Sequence, residues 1–100
     1  MKTLNLTLKK KWFDMILSGE KTTEYREVKQ YWIDRIGDAT KIINFDTVTF
    51  INGYGDSRPR IVLKLKSITM GTGKKEWGAE PNTYYFCIDL GEIIETRNIK

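Results

Sequence analysis

The chain has no histidine, a single cysteine and only two prolines in 100 residues. Without an imidazole, every Ser-His-Asp or Cys-His mechanism is excluded, and so are the usual Cys/His zinc sets. Cys87 has no second cysteine to pair with, which points to a reducing, cytoplasmic compartment. An enzyme built on this chain must move protons with Lys, Glu, Asp, Tyr or Thr. No apolar run approaches the roughly 18 residues of a membrane span. The early alternation Leu4 to Leu8 runs straight into Lys9, Lys10 and Lys11, so neither anchor nor signal peptide is expected. A phosphate loop is missing: Gly73 and Lys74 are there, but Ile68 stands where the first glycine belongs and Lys75 where the hydroxyl does. No carboxylates show the spacing of a calcium loop, and neither a metal nor a cofactor is expected.

What is present suits one globular domain over residues 1–100, with 40% hydrophobic residues for a core and 30% charged ones for a surface. Seventeen basic residues against thirteen acidic ones leave a net charge of +4. The distribution is more informative than the sum. Residues 1–11 carry Lys2, Lys9, Lys10 and Lys11 with no acid, and residues 57–75 carry Arg58, Arg60, Lys64, Lys66, Lys74 and Lys75, again with none. Lysine-rich segments are ordinary solvated faces, and they attract a polyanion only if they converge in space.

Leu4, Leu6 and Leu8 alternate with polar residues at the period of a half-buried strand. From Lys10 to Ser18 the period becomes helical, with Trp12, Phe13, Met15, Ile16 and Leu17 as a broad apolar stripe and Gly19 as the stop. Three lysines occupy the positive end of that helix dipole, where an acid or a Ser/Asp cap is favoured, so a bound anion near Lys9 to Lys11 is one expectation and solvent screening the other. Thr22 to Arg26 reads as a short strand, and Val28 to Ile36 as a second helix closed by Gly37, with Glu27 at its start and Trp32 and Ile36 buried. Thr47 to Ile51 is a strand with Val48 and Phe50 on one face, followed by a loop from Asn52 to about Pro59. Ile61, Leu63 and Leu65 alternate with Arg60, Lys64 and Lys66, then the apolar phase slips to Ile68 and Met70, which predicts a bulge near Lys66 and Ser67. A last strand runs from Tyr84 through Phe86, Ile88 and Leu90, with a second slip after Gly91, and Cys87 is expected to be an inert residue on it. Five or six strands, two short helices near the N-terminus and two bulges predict an α+β, mainly β fold: a small closed or nearly closed β-barrel with helices at its rim.

The densest chemistry lies between the first helix and the second strand, in Gly19-Glu20-Lys21-Thr22-Thr23-Glu24-Tyr25-Arg26. In an extended segment Thr22, Glu24 and Arg26 share a face. If that face looks into a cleft, Glu24 and Arg26 pair and orient one another, leaving arginine donors for a phosphate or carbonyl and the glutamate for an exocyclic amine. Lys21 at the lip, partly desolvated beside Arg26, would have its pKa lowered toward the range of a base. The competing expectation is an exposed edge strand whose charges merely discourage pairing with other chains.

Gly19, Lys21, Glu24 and Arg26 match the G-x-K-x-x-E-x-R signature of the ASCH (activating signal cointegrator homology) domains, and nearly the whole chain, from Leu4 to about Glu95, resembles that family's strand, short helix, motif strand and barrel strands. The resemblance implies a PUA-like β-barrel and a cleft that binds RNA or a modified nucleoside. It also implies two activities found among similar proteins, removal of the acetyl group from N4-acetylcytidine and ribonuclease action. Lys21 matches the amidohydrolase lysine, but the threonine nucleophile's place holds Glu24, and the expected loop glutamate has two candidates, Glu76 and Glu80. On this basis Lys21 and Glu24 are the catalytic candidates of an enzyme. Lys21, Thr22, Glu24 and Arg26 are ligand-binding candidates, the row Arg60, Lys64 and Lys66 would attract phosphates, and Trp77, in the loop Gly71 to Asn82, is a candidate stacking platform. A protein-interaction module is the third alternative, favoured if an exposed apolar patch outranks the cleft.

Overall fold

The computed structural model describes residues 2–37, 40–55 and 57–99. Strand β1 (Thr3–Leu8) is followed by helix α1 (Lys10–Leu17), β2 (Thr23–Glu27), α2 (Gln30–Ile36), β3 (Thr47–Asn52), the long β4 (Arg60–Gly71), a single 3-10 turn at Lys75–Trp77, and the long β5 (Tyr85–Arg97). The five strands form one mixed sheet in the order β1-β3-β4-β5-β2, with β1 and β3 parallel and every other pair antiparallel.

Alternation builds the core. Leu4, Leu6 and Leu8 of β1, Val48 and Phe50 of β3, Ile61 and Leu63 of β4, and Phe86, Ile88 and Leu90 of β5 all point to the inner face of the curled sheet, where Phe13 and Ile16 of α1 cover them. Three register shifts interrupt the β4–β5 ladder, one between Val62–Glu95 and Leu63–Ile93, and two where the apolar phase slips. Leu63 faces Ile93 while Leu65 faces Leu90, which leaves an extra residue on β5 around Gly91 and Glu92. Leu65 then faces Leu90 while Ser67 faces Asp89, leaving the extra residue on β4 at Lys66.

The curl stops at a half-barrel. Strands β1 and β2 are the two edges of the sheet, with no ladder between them among the described residues, so the closed barrel is not formed. The seam is instead crossed by a side chain: Arg26 Nη2 of β2 donates to the Thr7 carbonyl of β1 at 3.0 Å. The second helix starts at Gln30 rather than Val28, because the sheet takes that stretch. Glu27 is the last residue of β2, and the Val28 amide donates to the Tyr84 carbonyl. Ile36 is fully buried, whereas Trp32 is half-buried against the core. No helix among the described residues is long and apolar enough to cross a membrane.

Candidate functional site

The site is built at the turn that joins α1 to β2. Gly19, at φ 87°, ends the helix in the left-handed region, and its amide donates to the Ile16 carbonyl. The Lys21 amide then donates to the Met15 carbonyl at 2.9 Å, which folds the chain back against the helix it has just left. The Lys21 side chain is thereby turned inward, and the residue is only 2% exposed. Glu24, three residues on and on the inner face of β2, is 4% exposed.

These two charges and Arg26 form one cluster. Lys21 Nζ lies 2.8 Å from Glu24 Oε1 and donates to the Trp77 carbonyl at 2.7 Å. Arg26 Nη2 lies 3.0 Å from Glu24 Oε2. Glu24 Oε1 also accepts the Tyr25 amide at 3.0 Å. The cations are held against rings as well: Lys21 Nζ is 4.6 Å from the Trp12 ring centroid, and the Arg26 guanidinium carbon is 5.1 Å from that of Trp32. Arg26 Nε is buried and has no hydrogen-bond partner among the described residues. Burial pushes the Lys21 amine below its ordinary value of 10.5, opposed by the Glu24 carboxylate and assisted by Arg26.

The cluster forms the floor of a recess of about 300 Å³ lying at the seam between β1 and β2. Its walls are Thr7, Leu8 and Lys9 at the end of β1, Trp12 of α1, Tyr25 and Tyr85 of the sheet, and Trp77 and Gly78 of the loop between β4 and β5. That loop is pinned against the cluster. The Lys74 amide donates to Tyr25 Oη at 3.1 Å and the Glu80 amide to Tyr85 Oη at 2.8 Å. A Cβ on Gly73 would lie 2.7 Å from the Tyr25 ring, and one on Gly78 would lie 3.0 Å from the Trp12 ring. Burial raises the Tyr25 phenol above its ordinary value, with the Lys74 amide opposing the shift.

Lys21, Glu24, Arg26 and Trp77 therefore converge on one concave surface, and the cluster is not a row of solvated edge charges. Other candidates stand apart. Thr22 is exposed, and its carbonyl accepts the Leu90 amide. Thr23 Oγ1 donates to Asp89 Oδ1 at 2.9 Å on the opposite face of β2. Arg60 donates to the Gly55 carbonyl, Lys64 pairs with Glu92, and Lys66 lines a separate hollow beside Phe45 and Ile68, so none of the row lines the recess. Glu76 and Glu80 are both exposed and neither lines it. Lys74 Nζ lies 4.3 Å from the Trp77 ring centroid, so a base stacking on that face must displace it. The half-buried Cys87 has its thiol pKa raised by burial, which keeps it in the unreactive form.

Four wall residues, Thr7, Trp12, Tyr25 and Tyr85, carried no signal in the sequence as site residues. Trp12 reads as core by its spacing, and Tyr85 falls on the face of the last strand opposite Phe86, Ile88 and Leu90, so the strand period does not mark it. A larger hollow of about 660 Å³ lies between α1 and the loop before β4, but its charges are the exposed Lys10–Asp14 pair and an Arg58 whose Nε is already bonded to the Asn52 carbonyl. Buried charge, not volume, singles out the recess at the seam. Among the described residues no three Cys, Asp or Glu side chains converge in a way that could hold a metal ion. No family model, curated protein or solved structure matches the chain.

Proposed function

We propose that this protein is an ASCH-type module that binds RNA or a modified nucleoside in the recess between β1 and β2. The observation that carries the proposal is the buried Lys21–Glu24–Arg26 cluster at the floor of an aromatic-walled hollow. Burying three charges is costly, and apolar residues of similar volume would serve the fold as well or better. Function supplies the reason to keep them. Glu24 Oε2 accepts only Arg26 among the described contacts, which leaves acceptor capacity for an exocyclic amine. Lys21 Nζ uses two of its three protons, on Glu24 and Trp77. An acceptor beside a spare donor matches the edge of a base, and Tyr25 and Trp77 line the same recess, Trp77 offering its face once Lys74 is displaced. A fluorescence titration of short single-stranded RNA against wild type and Arg26→Ala tests this. The variant should lose most of the affinity, and an unchanged affinity would remove the site assignment.

Amide hydrolysis of an acylated cytidine is the alternative, and the burial of Lys21 beside Glu24 and Arg26 favours it, because burial lowers the amine's pKa from its ordinary 10.5, the direction a general base requires. Acetate release from N4-acetylcytidine, abolished in Lys21→Ala, would establish this activity. Wild type with no turnover would exclude it.

A further inference from the structure

The charges that line the recess do not balance. Lys9, Lys21 and Arg26 contribute three cations and Glu24 the only carboxylate, so the hollow carries an excess of two positive charges. The charge of Glu24 is shared by the inner pair, with Oε1 on Lys21 and Oε2 on Arg26. Neither exposed loop glutamate reaches the recess to make up the difference. Lys9 has no acidic partner among the described residues, unlike Lys10, which is paired with Asp14. Arg26 shares its one carboxylate with Lys21, has a buried Nε without a partner, and keeps 18% of its side chain accessible. Two further lysines stand over the wall tryptophans, Lys11 Nζ at 4.6 Å from the Trp12 centroid and Lys74 Nζ at 4.3 Å from that of Trp77. A concave site with low-dielectric walls and a surplus of one sign concentrates counter-ions of the other.

We infer that the recess seats an anionic group between Lys9 and Arg26, so that its ligand is a phosphorylated nucleotide or an RNA phosphodiester, not a free nucleoside. This deepens the proposed function and rests on it for the base and sugar of the ligand. The division of labour follows from depth. Lys21 and Glu24, buried and mutually paired, face the neutral edge of a base. Arg26, with Nη2 held by Glu24 and the Thr7 carbonyl, keeps further guanidinium donors for phosphate oxygens, and Lys9 adds an exposed point charge. The row Arg60, Lys64 and Lys66 has no part in this seat, because none of the three lines the recess.

The test is a set of NMR titrations of the whole chain with the four ribonucleosides, their 3′- and 5′-monophosphates, and inorganic phosphate. At least one monophosphate should bind about tenfold or more tighter than its own nucleoside. Lys9→Gln, a change at an exposed residue outside the buried cluster, should erase most of that difference. Equal affinity for nucleoside and monophosphate overturns the anion seat and leaves the base-binding proposal standing. A phosphate preference that survives in Lys9→Gln also overturns it, since the anion then sits elsewhere. Inorganic phosphate binding as tightly as every nucleotide, and lost in Lys9→Gln, would keep the seat and remove the nucleoside. No binding by any of these compounds or by single-stranded RNA would remove both.

Discussion

Glu24 is the residue on which the cluster depends, because its two oxygens hold both cations at 2.8 Å and 3.0 Å in a place that water barely reaches. Glu24→Gln keeps the shape but leaves Lys21 and Arg26 facing one another without a countercharge. Breaking a buried pair in this way costs about 3–5 kcal/mol. That is a large fraction of the roughly 5–15 kcal/mol that holds a domain of this size folded. A lowered urea midpoint with an unchanged slope is therefore expected, and a midpoint equal to wild type would mean that the pair is solvated. Lys21 predicts a pH dependence whose sign is fixed by the direction of its shift. Its folded pKa lies below the ordinary 10.5, so between the two values the unfolded chain holds a proton that the folded chain does not. Stability from this group must then rise with pH across that window, with its full penalty present below it. Tyr25, shifted upward, acts in the opposite sense near its own ordinary value of 10.0, so the comparison must be with a variant. The thermal midpoint of wild type relative to Lys21→Met should improve as pH approaches 10.5, and parallel curves would contradict the burial of Lys21.

At the scale of elements, the recess exists because a helix, an edge strand and a loop are locked together at few points. The loop between β4 and β5 approaches so closely that Gly73 leaves no room for a side chain beside Tyr25, a Cβ there falling 2.7 Å from the ring. Gly73→Ala should cost about 1–3 kcal/mol through overpacking. Because it pushes the loop off Tyr25, it should also speed amide exchange at Lys74, whose N–H is bonded to that tyrosine. Unaltered exchange would mean that the loop is not held there. Much of this layout was legible in the sequence. The alternation of Leu4, Leu6 and Leu8, the apolar stripe ended by Gly19, and the two phase slips each report a local period, and each element lies where its period puts it. The bounds of α2 were less legible, since Val28 is taken by a backbone bond to Tyr84, more than fifty residues away, which no local pattern records. The motif residues Lys21, Glu24 and Arg26 lie together on one recess, whereas the row Arg60, Lys64 and Lys66 lies outside it. Shared parity along a strand says nothing about which hollow the strand borders.

For the whole molecule the governing feature is a sheet that curls but does not close, with a charged side chain spanning the gap where a ladder would otherwise run. A seam of this kind is a natural place for a ligand, because closing the barrel would fill it. The electrostatics of binding then separate two geometries. If one phosphate is seated by Lys9 and Arg26, log affinity for single-stranded RNA should fall against log salt with a slope of about −0.7. If Arg60, Lys64 and Lys66 also took part, about three phosphates would be neutralised and the slope would approach roughly −2. The most direct measurement for the molecule as a whole is a map of backbone amide shifts on adding single-stranded RNA. The perturbed amides should cluster at Thr7 to Trp12, Lys21 to Arg26, and Trp77 to Gly78, on the three segments that meet at the seam. Perturbations confined to β4 between Arg60 and Lys66, or to the larger hollow beside Phe13 and Leu17, would contradict the assignment of function to the recess.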